Sequence, residues 1–501
     1  MPVIGSNILA GASGQAAGGA DVGTYTGKSL CFDDGTAQTL TRTPGSAGNR
    51  RTWTLSIWFK RSTLGTIQNI FSGKDGSYPE RIRFEADDTL HYDHDISGTD
   101  WTIQSTRVFR DTSAWYHLVV AKDTTQSTET NRIKFYINGE QITMTESANG
   151  YPSEDYDGAI NNTGDHAISG DYSGSECFDG YLAAFALIDG TALTPSSFGE
   201  TSADTGAWVM KDNLSGLTFG TNGFYLEFKA TGTGTASAST IGADTSGETN
   251  HWTSNNFAAT DSALPDTPVD NFCTLNPLSN NEIVLSEGNL TGTGTGSNWD
   301  GVTSTFAATS GKWYWEVKCL SISEAQAWIV GIHETGQQPS GLHWYSGSYV
   351  GQTYGVQDSN YKITTGTQSA FTSDIAAGDI VQFRLNLDDN ELSVSVDGVD
   401  KGKLYDITDG KYYSPAINMY GTSSVIMNFG QDSSFNGTET ATSNADGNSK
   451  GTFHSAVPTG YLALCTANMP DIEIGQEEND LAHDYFNTVI YTGNDTSGHA
   501  I

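Results

Sequence analysis

Hydrophobic and polar residues alternate along most of this chain. In GKWYWEVKCLSISEAQAWIVGIHE, residues 311–334, Trp313, Trp315, Val317 and Cys319 fall on one side of a two-residue period, and Tyr314, Glu316 and Lys318 on the other. After a polar break the pattern resumes with Trp328, Val330 and Ile332. Successive side chains of a strand point to opposite faces, so this stretch predicts two strands of a sheet with one buried face. The same period groups Trp53, Leu55, Ile57 and Phe59 in TWTLSIWFKR, Tyr116, Leu118 and Val120 in WYHLVVAKD, and Ile133, Phe135 and Ile137 in RIKFYINGEQ. Val381, Phe383, Leu385 and Leu387 run to a turn at residues 388–391, from which Leu392, Val394 and Val396 return. RIRFEADDTLHYDHD predicts two short strands around Asp87 and Asp88. A strand-loop-strand unit occurs twice, ending once in Asn138-Gly139 and once in Asp397-Gly398, dipeptides suited to tight hairpin turns. A second echo sets C-T-L-N-P at Cys273 against C-T-A-N-M-P at Cys465, as paired first and last strands of one unit would.

These patterns divide the chain. Residues 1–27 form a Gly/Ala-rich N-terminal arm that cannot build a core alone; a disordered leader and an arm that orders on a larger assembly both stay open. Residues 28–200 form a first β-rich module. Residues 201–270 are a connector with short strands, Phe224, Leu226 and Phe228 marking one of them, and Pro265 and Pro268 stand at its end. Residues 271–471 form a second module, and residues 472–501 an acidic linker and a C-terminal strand at 485–491. That last strand needs a partner, because one strand alone is unstable in water.

Composition supports an all-β reading. The 501 residues include 57 Gly, 22 Tyr and 21 Phe, as short strands joined by many turns require, and the length suits two or three domains. The net charge of −35 repels phosphate backbones and anionic membrane surfaces, so neither nucleic acid nor membrane insertion is expected. No segment approaches the ~20 apolar residues that span a bilayer, and the N-terminal stretch fails as a secretory signal. Cys31, Cys177, Cys273, Cys319 and Cys465 show no C-x-x-C spacing, which argues against zinc and a full disulfide framework.

Two stretches carry family resemblances. W-Y-H-L-V with its following N-G strand, and the closing F-D-G-Y-L-A from Phe178 to Ala183, resemble a laminin-G-like, concanavalin-type jelly roll. That resemblance makes the first and last strands neighbours and would bring Cys31 and Cys177 within reach of each other. G-K-W-Y-W-E-V, W-I-V-G-I, G-D-I-V-Q-F and Y-S-P-A-I followed by V-I-M-N-F-G resemble a SPRY domain, a β-sandwich used for binding rather than chemistry. The expected fold is all-β: two tandem concanavalin-like jelly-roll β-sandwiches, laminin-G-like then SPRY-like, behind a flexible N-terminal arm.

Candidate chemistry is sparse. Glycosidases on such jelly rolls place carboxylates across the scissile bond, usually as E-x-D-x-x-E. The nearest approach, Asp471-Ile-Glu473, lacks the third acid, and no G-x-S-x-G, H-E-x-x-H or P-loop motif occurs, so no catalytic residue is assigned. HYDHD, residues 91–95, reads as a solvated strand end rather than a metal site. The acidic loop at 154–166 is where laminin-G-like modules suggest a possible Ca2+; no metal ligand is otherwise assigned. The favoured ligand-binding surface is GQQPSGLHWYSGSYVGQTYG, where Trp344, Tyr345 and Tyr349 sit among Gly, Ser and Pro and suit stacking on sugar rings or a protein hot spot.

The module pair resembles virion surface proteins of tailed bacteriophages, particularly marine ones. What that implies is a non-enzymatic tail fibre, receptor-binding or head decoration protein at the virion surface. It would contact other virion proteins through its N-terminal arm, form a homo-oligomer (a trimer for a fibre), and bind host cell-surface polysaccharide. A purely structural capsid or tail component and a polysaccharide depolymerase are the alternatives.

Overall fold

Strand Thr52–Arg61 lies between Gly180–Asp189 and Tyr116–Asp123, in a sheet that extends to Ser29–Phe32 on one side and to Ile133–Ile137 and Glu140–Gln141 on the other. The computed structural model describes residues 25–95, 101–171, 174–202, 206–211, 214–335 and 351–469. The facing sheet runs Met144–Ala148, Trp101–Val108, Thr89–His94, Tyr78–Phe84, Gln68–Asp75, His166–Ile168, Thr39–Arg42 and Thr253–Asn255. Trp53, Leu55, Ile57 and Phe59 meet Ile82, Phe84, Leu90, Tyr92 and Ile103 between the sheets, all fully buried. Each such side chain stabilises the fold by about 1.5–3 kcal/mol. First and last strands pair as expected, Cys31 opposite Tyr181, yet all five cysteines are free thiols.

The outer face of the first sheet is also covered. Trp58 stacks on His117 with ring centroids 4.8 Å apart, and Trp208 donates to His117 Nδ1 at 2.9 Å. Burial holds the His117 imidazole down to about 3, so the ring is neutral, accepts from Trp208 and donates Nε2–H to Ser56 Oγ at 2.9 Å. The cover comes from residue 198 onward, where Phe198, Leu214 and Phe219 pack on Val119, Ala186 and Ile188; nearby, Phe224–Leu226 extends this sheet beside Gly180–Asp189, and Thr253–Asn255 extends the facing sheet beside Thr39–Arg42.

The second sandwich has one sheet ordered Leu275–Asn281, Gly296–Ser304, Tyr413–Gly421, Trp328–Glu334, Thr353–Gln357, Tyr361–Thr364 and Thr367–Ala370. The other runs Val284–Ser286, Thr291–Thr293, Ser424–Asn428, Lys312–Ser321, Ile380–Asn386, Glu391–Val396 and Val399–Asp406. Trp315 stacks on Phe383 in the core, centroids 5.0 Å apart. The expectation of one buried face is corrected here, because Tyr314, Glu316 and Lys318 on the other face are buried too. Phe272, Phe453, Ala463 and Cys465 cover Tyr314, and Leu462–Ala463 joins Lys312–Ser321 as a parallel strand. Glu316 is satisfied there by Tyr314 Oη, Asn428 Nδ2 and the backbone N–H groups of His454 and Ser455, at 2.7–3.1 Å. The two C-T echoes do meet: Cys273 N–H donates to Leu464 O at 2.9 Å, and Phe272 bridges Cys465.

The proline-marked segment before the second sandwich is no loose tether. Asp266, Asn271 and Phe272 are fully buried between the sandwiches. Asp266 accepts from Trp115 Nε1 and Lys60 Nζ, Tyr181 Oη donates to Gly288 O, and Asn289 Nδ2 donates to Ser62 O. No helix among the described residues is long and apolar enough to cross a membrane.

Candidate functional site

Trp344, Tyr345 and Tyr349 lie outside the described residues, as do Asp471 and Glu473. The strand ends that carry the aromatic loop are described. Glu334 accepts from Gln352 N–H at 2.9 Å and from Lys411 Nζ at 2.8 Å, and Thr335 N–H donates to Tyr412 O. Beside Glu334, His333 is buried, and that burial pushes its pKa down.

A different aromatic surface occupies the other end of the same strand. Trp299 on Gly296–Ser304 is in register with Tyr420 on Tyr413–Gly421, their ring centroids 5.7 Å apart. With Glu324, Ala325 and Gln326 they line an open recess of about 200 Å³. Sites that enclose a drug-sized ligand measure ~300–1,000 Å³, so this one presents a surface for about one sugar ring.

The floor of the recess is a hydrogen-bonded network. Gln326 holds a left-handed backbone, φ 64°, which costs a non-glycine residue about 1–3 kcal/mol and must be enforced by its surroundings. Asp358 supplies that constraint, accepting Gln326 N–H at 2.6 Å and Trp328 N–H at 3.0 Å. Gln357 Nε2 donates to Gln326 O, and Gln368 Nε2 donates to Gln357 Oε1 at 2.9 Å and to Gln326 Oε1 at 3.2 Å. On the other flank Ser323 is tied to Ser423 and to Tyr420 O. Half-buried aromatic faces beside amides and a carboxylate suit the C–H faces and hydroxyl edges of a carbohydrate. The sequence held one signal for Trp299, a tryptophan among Gly, Ser and Asn in TGSNWDG. It is the same signal that singled out Trp344.

Acidic groups also gather at the seam between the sandwiches. Asp261, Glu287 and Asp432 line a cavity of about 30 Å³ at the seam between the sandwiches, with Cys31 and Tyr181 opposite. That is the space of a water molecule rather than a sugar ring. Burial first, then the neighbouring Asp33, Asp261 and Asp432, raise Glu287 to about 7. Burial raises Asp261 to about 6 and, with Asp34, Asp33 and Glu287 nearby, Asp179 to about 7. In the loop at 154–166, Asp155 and Asp157 both pair with Arg51, and Asp165 pairs with Lys74. Among the described residues no group of three or more His, Cys, Asp or Glu side chains is placed to hold a metal ion. HYDHD is not solvated: Asp93 is buried against Arg81 and Arg83, and His94 Nδ1 meets Tyr156 Oη at 2.6 Å.

Residues 33–198 match the family described as the concanavalin A-like lectin/glucanases superfamily. The match spans about a third of the chain and falls within the first sandwich. Among solved structures, the SPRY domain of human HERC1 aligns at 14% identity and a TM-score of 0.27, over 30% of this chain and 96% of its own. The TRIM65 PSpry domain aligns at 15% identity and a TM-score of 0.25, over 31% of this chain and 91% of its own. A proposed carbohydrate binding protein from Bacteroides ovatus aligns at 16% identity and a TM-score of 0.30, over 46% of this chain and 59% of its own.

Proposed function

We propose that this chain is a non-enzymatic glycan-binding protein of a tailed-bacteriophage particle, a tail fibre, receptor-binding or head decoration component displaying its sandwiches to host polysaccharide. The observation that carries glycan binding is the fixed Trp299–Tyr420 recess beside the Gln326, Gln357 and Gln368 amides. The first sandwich supports it through a superfamily that includes lectins. The ligand is a neutral sugar chain, because a net charge of −35 opposes the approach of a polyanion. One ring on an open surface binds weakly, and display in many copies on an oligomer, a trimer for a fibre, converts weak contacts into avidity. The particle setting rests on the resemblance of the module pair, and in that setting the N-terminal arm would dock on other virion proteins.

The test is binding of the full chain, displayed multivalently, to intact candidate host cells with and without competing surface polysaccharide. Saturable binding abolished by the polysaccharide is expected. Absence of binding at high display density would leave a structural component whose sandwiches serve the particle itself.

A further inference from the structure

Lys60 is a lysine buried where the two sandwiches join, its side chain 1% exposed. Its Nζ donates to three oxygens: Asp266 Oδ2 at 2.9 Å, Asn271 Oδ1 at 2.8 Å and Phe272 O at 2.9 Å. Asp266 and Asn271 are themselves fully buried. The carboxamide cannot swing away, because Asn271 Nδ2 donates to Ser113 O at 2.7 Å and its backbone N–H to Thr466 Oγ1 at 3.0 Å. Trp115 Nε1 holds the other Asp266 oxygen at 3.0 Å, and the Tyr181 ring closes one side, 5.5 Å from Nζ. Lys122 is equally buried but meets the Glu80 carboxylate, not a carboxamide.

A buried amine, a carboxamide fixed against it and a buried carboxyl touching the amine are the parts that amide exchange requires. We propose that Lys60 and Asn271 become joined by an intramolecular isopeptide bond, formed by the folded chain itself with Asp266 moving the protons. Asp266 Oδ2 takes a proton from the Lys60 ammonium and frees the Nζ lone pair. Nζ then attacks Asn271 Cγ, forming the new C–N bond and moving the carbonyl electron pair onto Oδ1. When the C=O re-forms, the Cγ–Nδ2 bond breaks. Nδ2 takes one proton from Nζ and the one held by Asp266, leaving as ammonium. Five protons enter on the ammonium and the carboxamide; one stays on the new amide and four leave, with no oxidant or reductant. Burial favours the protonated Asp266 carboxyl, which suits it to accept that proton. Fixed contact supplies the effective concentration that a free amine and amide lack.

The bond would close a loop between residues 211 apart and fasten the sandwiches covalently at their joint. The test is mass spectrometry of the purified, denatured full chain followed by peptide mapping. The expected result is a mass one ammonia below that of the linear sequence and a branched peptide joining Lys60 to Asn271, with no tryptic cleavage after Lys60. Asn271→Ala and Asp266→Asn should each lack the branched peptide. Separate, unmodified Lys60 and Asn271 peptides from the unsubstituted chain would overturn the proposal, and that result does not depend on any variant folding.

Discussion

In the proposed site Trp299 is half-buried, and the residues beside it are hydrogen-bonded to one another. Replacing it with Ala removes one wall of the recess and leaves the sheet. Affinity for a neutral polysaccharide should fall by about tenfold or more, the effect of a hot-spot aromatic, while the melting temperature falls by only about 2–4 °C as packing on Ile329, Ile363 and Ala416 is lost. Titration calorimetry and thermal melts on the same preparation check both. Two charged positions are expected to act on stability instead. Burial alone would raise Glu80, but the Lys122 ammonium, His94 and the Tyr92 hydroxyl outweigh it and hold the carboxyl at about 2. A depressed carboxylate stabilises the fold above its unfolded value, and that contribution is lost as pH falls from about 4.5 through about 2. Lys122→Met leaves the Glu80 charge buried without its partner and should cost about 3–5 kcal/mol at neutral pH, measured by denaturant unfolding.

Glu287 has the opposite sign. Its folded value is raised to about 7, so it binds a proton more tightly in the folded state, and stability is lost as pH rises from about 4.5 to about 7. The carboxyls around it, Asp33, Asp179, Asp261 and Asp432, outweigh the hydrogen bond from Asn436, so ionising Glu287 adds repulsion at the seam. Glu287→Gln should raise the melting temperature by about 2–4 °C at pH 8, the response of a domain this size to about 1 kcal/mol, and leave it unchanged at pH 4. Calorimetric scans at the two pH values decide it.

At the scale of elements, the two Asx-Gly hairpins offer a matched comparison. Asn138-Gly139 and Asp397-Gly398 both take left-handed backbones, with φ of 48° and 84° in the first and 48° and 74° in the second. A Cβ on Gly139 would stand 2.4 Å from Trp208 Cε3, whereas one on Gly398 would meet open space. Gly398→Ala should cost about 1 kcal/mol for backbone strain, and Gly139→Ala clearly more, in urea unfolding of each variant. The same hairpins show what was legible in the sequence. Period-two alternation and turn dipeptides are local, so strands such as Ile133–Ile137 and Ile380–Asn386 could be read directly. The connector strand at Phe224 and Leu226 was legible as packing on the first sandwich, but most of the covering of the outer sheet faces was not. Around Leu214, Phe219 and Phe453 the chain is Gly-, Ser- and Thr-rich with apolar residues too sparse to show a period, and around Ala463 the apolar residues run on without alternation. The recess was hidden for a related reason. Trp299 and Tyr420 meet only through strand register, and Gln326 gains its role from the distant Asp358.

At the scale of the whole molecule, a net charge of −35 and a buried joint shape the functional reading together. The charge keeps an exposed surface soluble and turns away polyanions, so binding of a neutral polysaccharide should persist at high salt, where contacts between charges fade. The joint is a buried hydrogen-bonded cluster of Lys60, Asp266, Trp115 and Asn271. Recognition without cleavage can be measured directly. The full chain, immobilised at high density, is incubated with neutral polysaccharide from a candidate host, and retained polymer and newly formed reducing ends are followed together. A glycan-display protein retains the polymer, releases no oligosaccharide, and loses retention with Trp299→Ala. Accumulating reducing ends would make the chain a depolymerase, and failure to retain any such polymer would contradict glycan binding altogether.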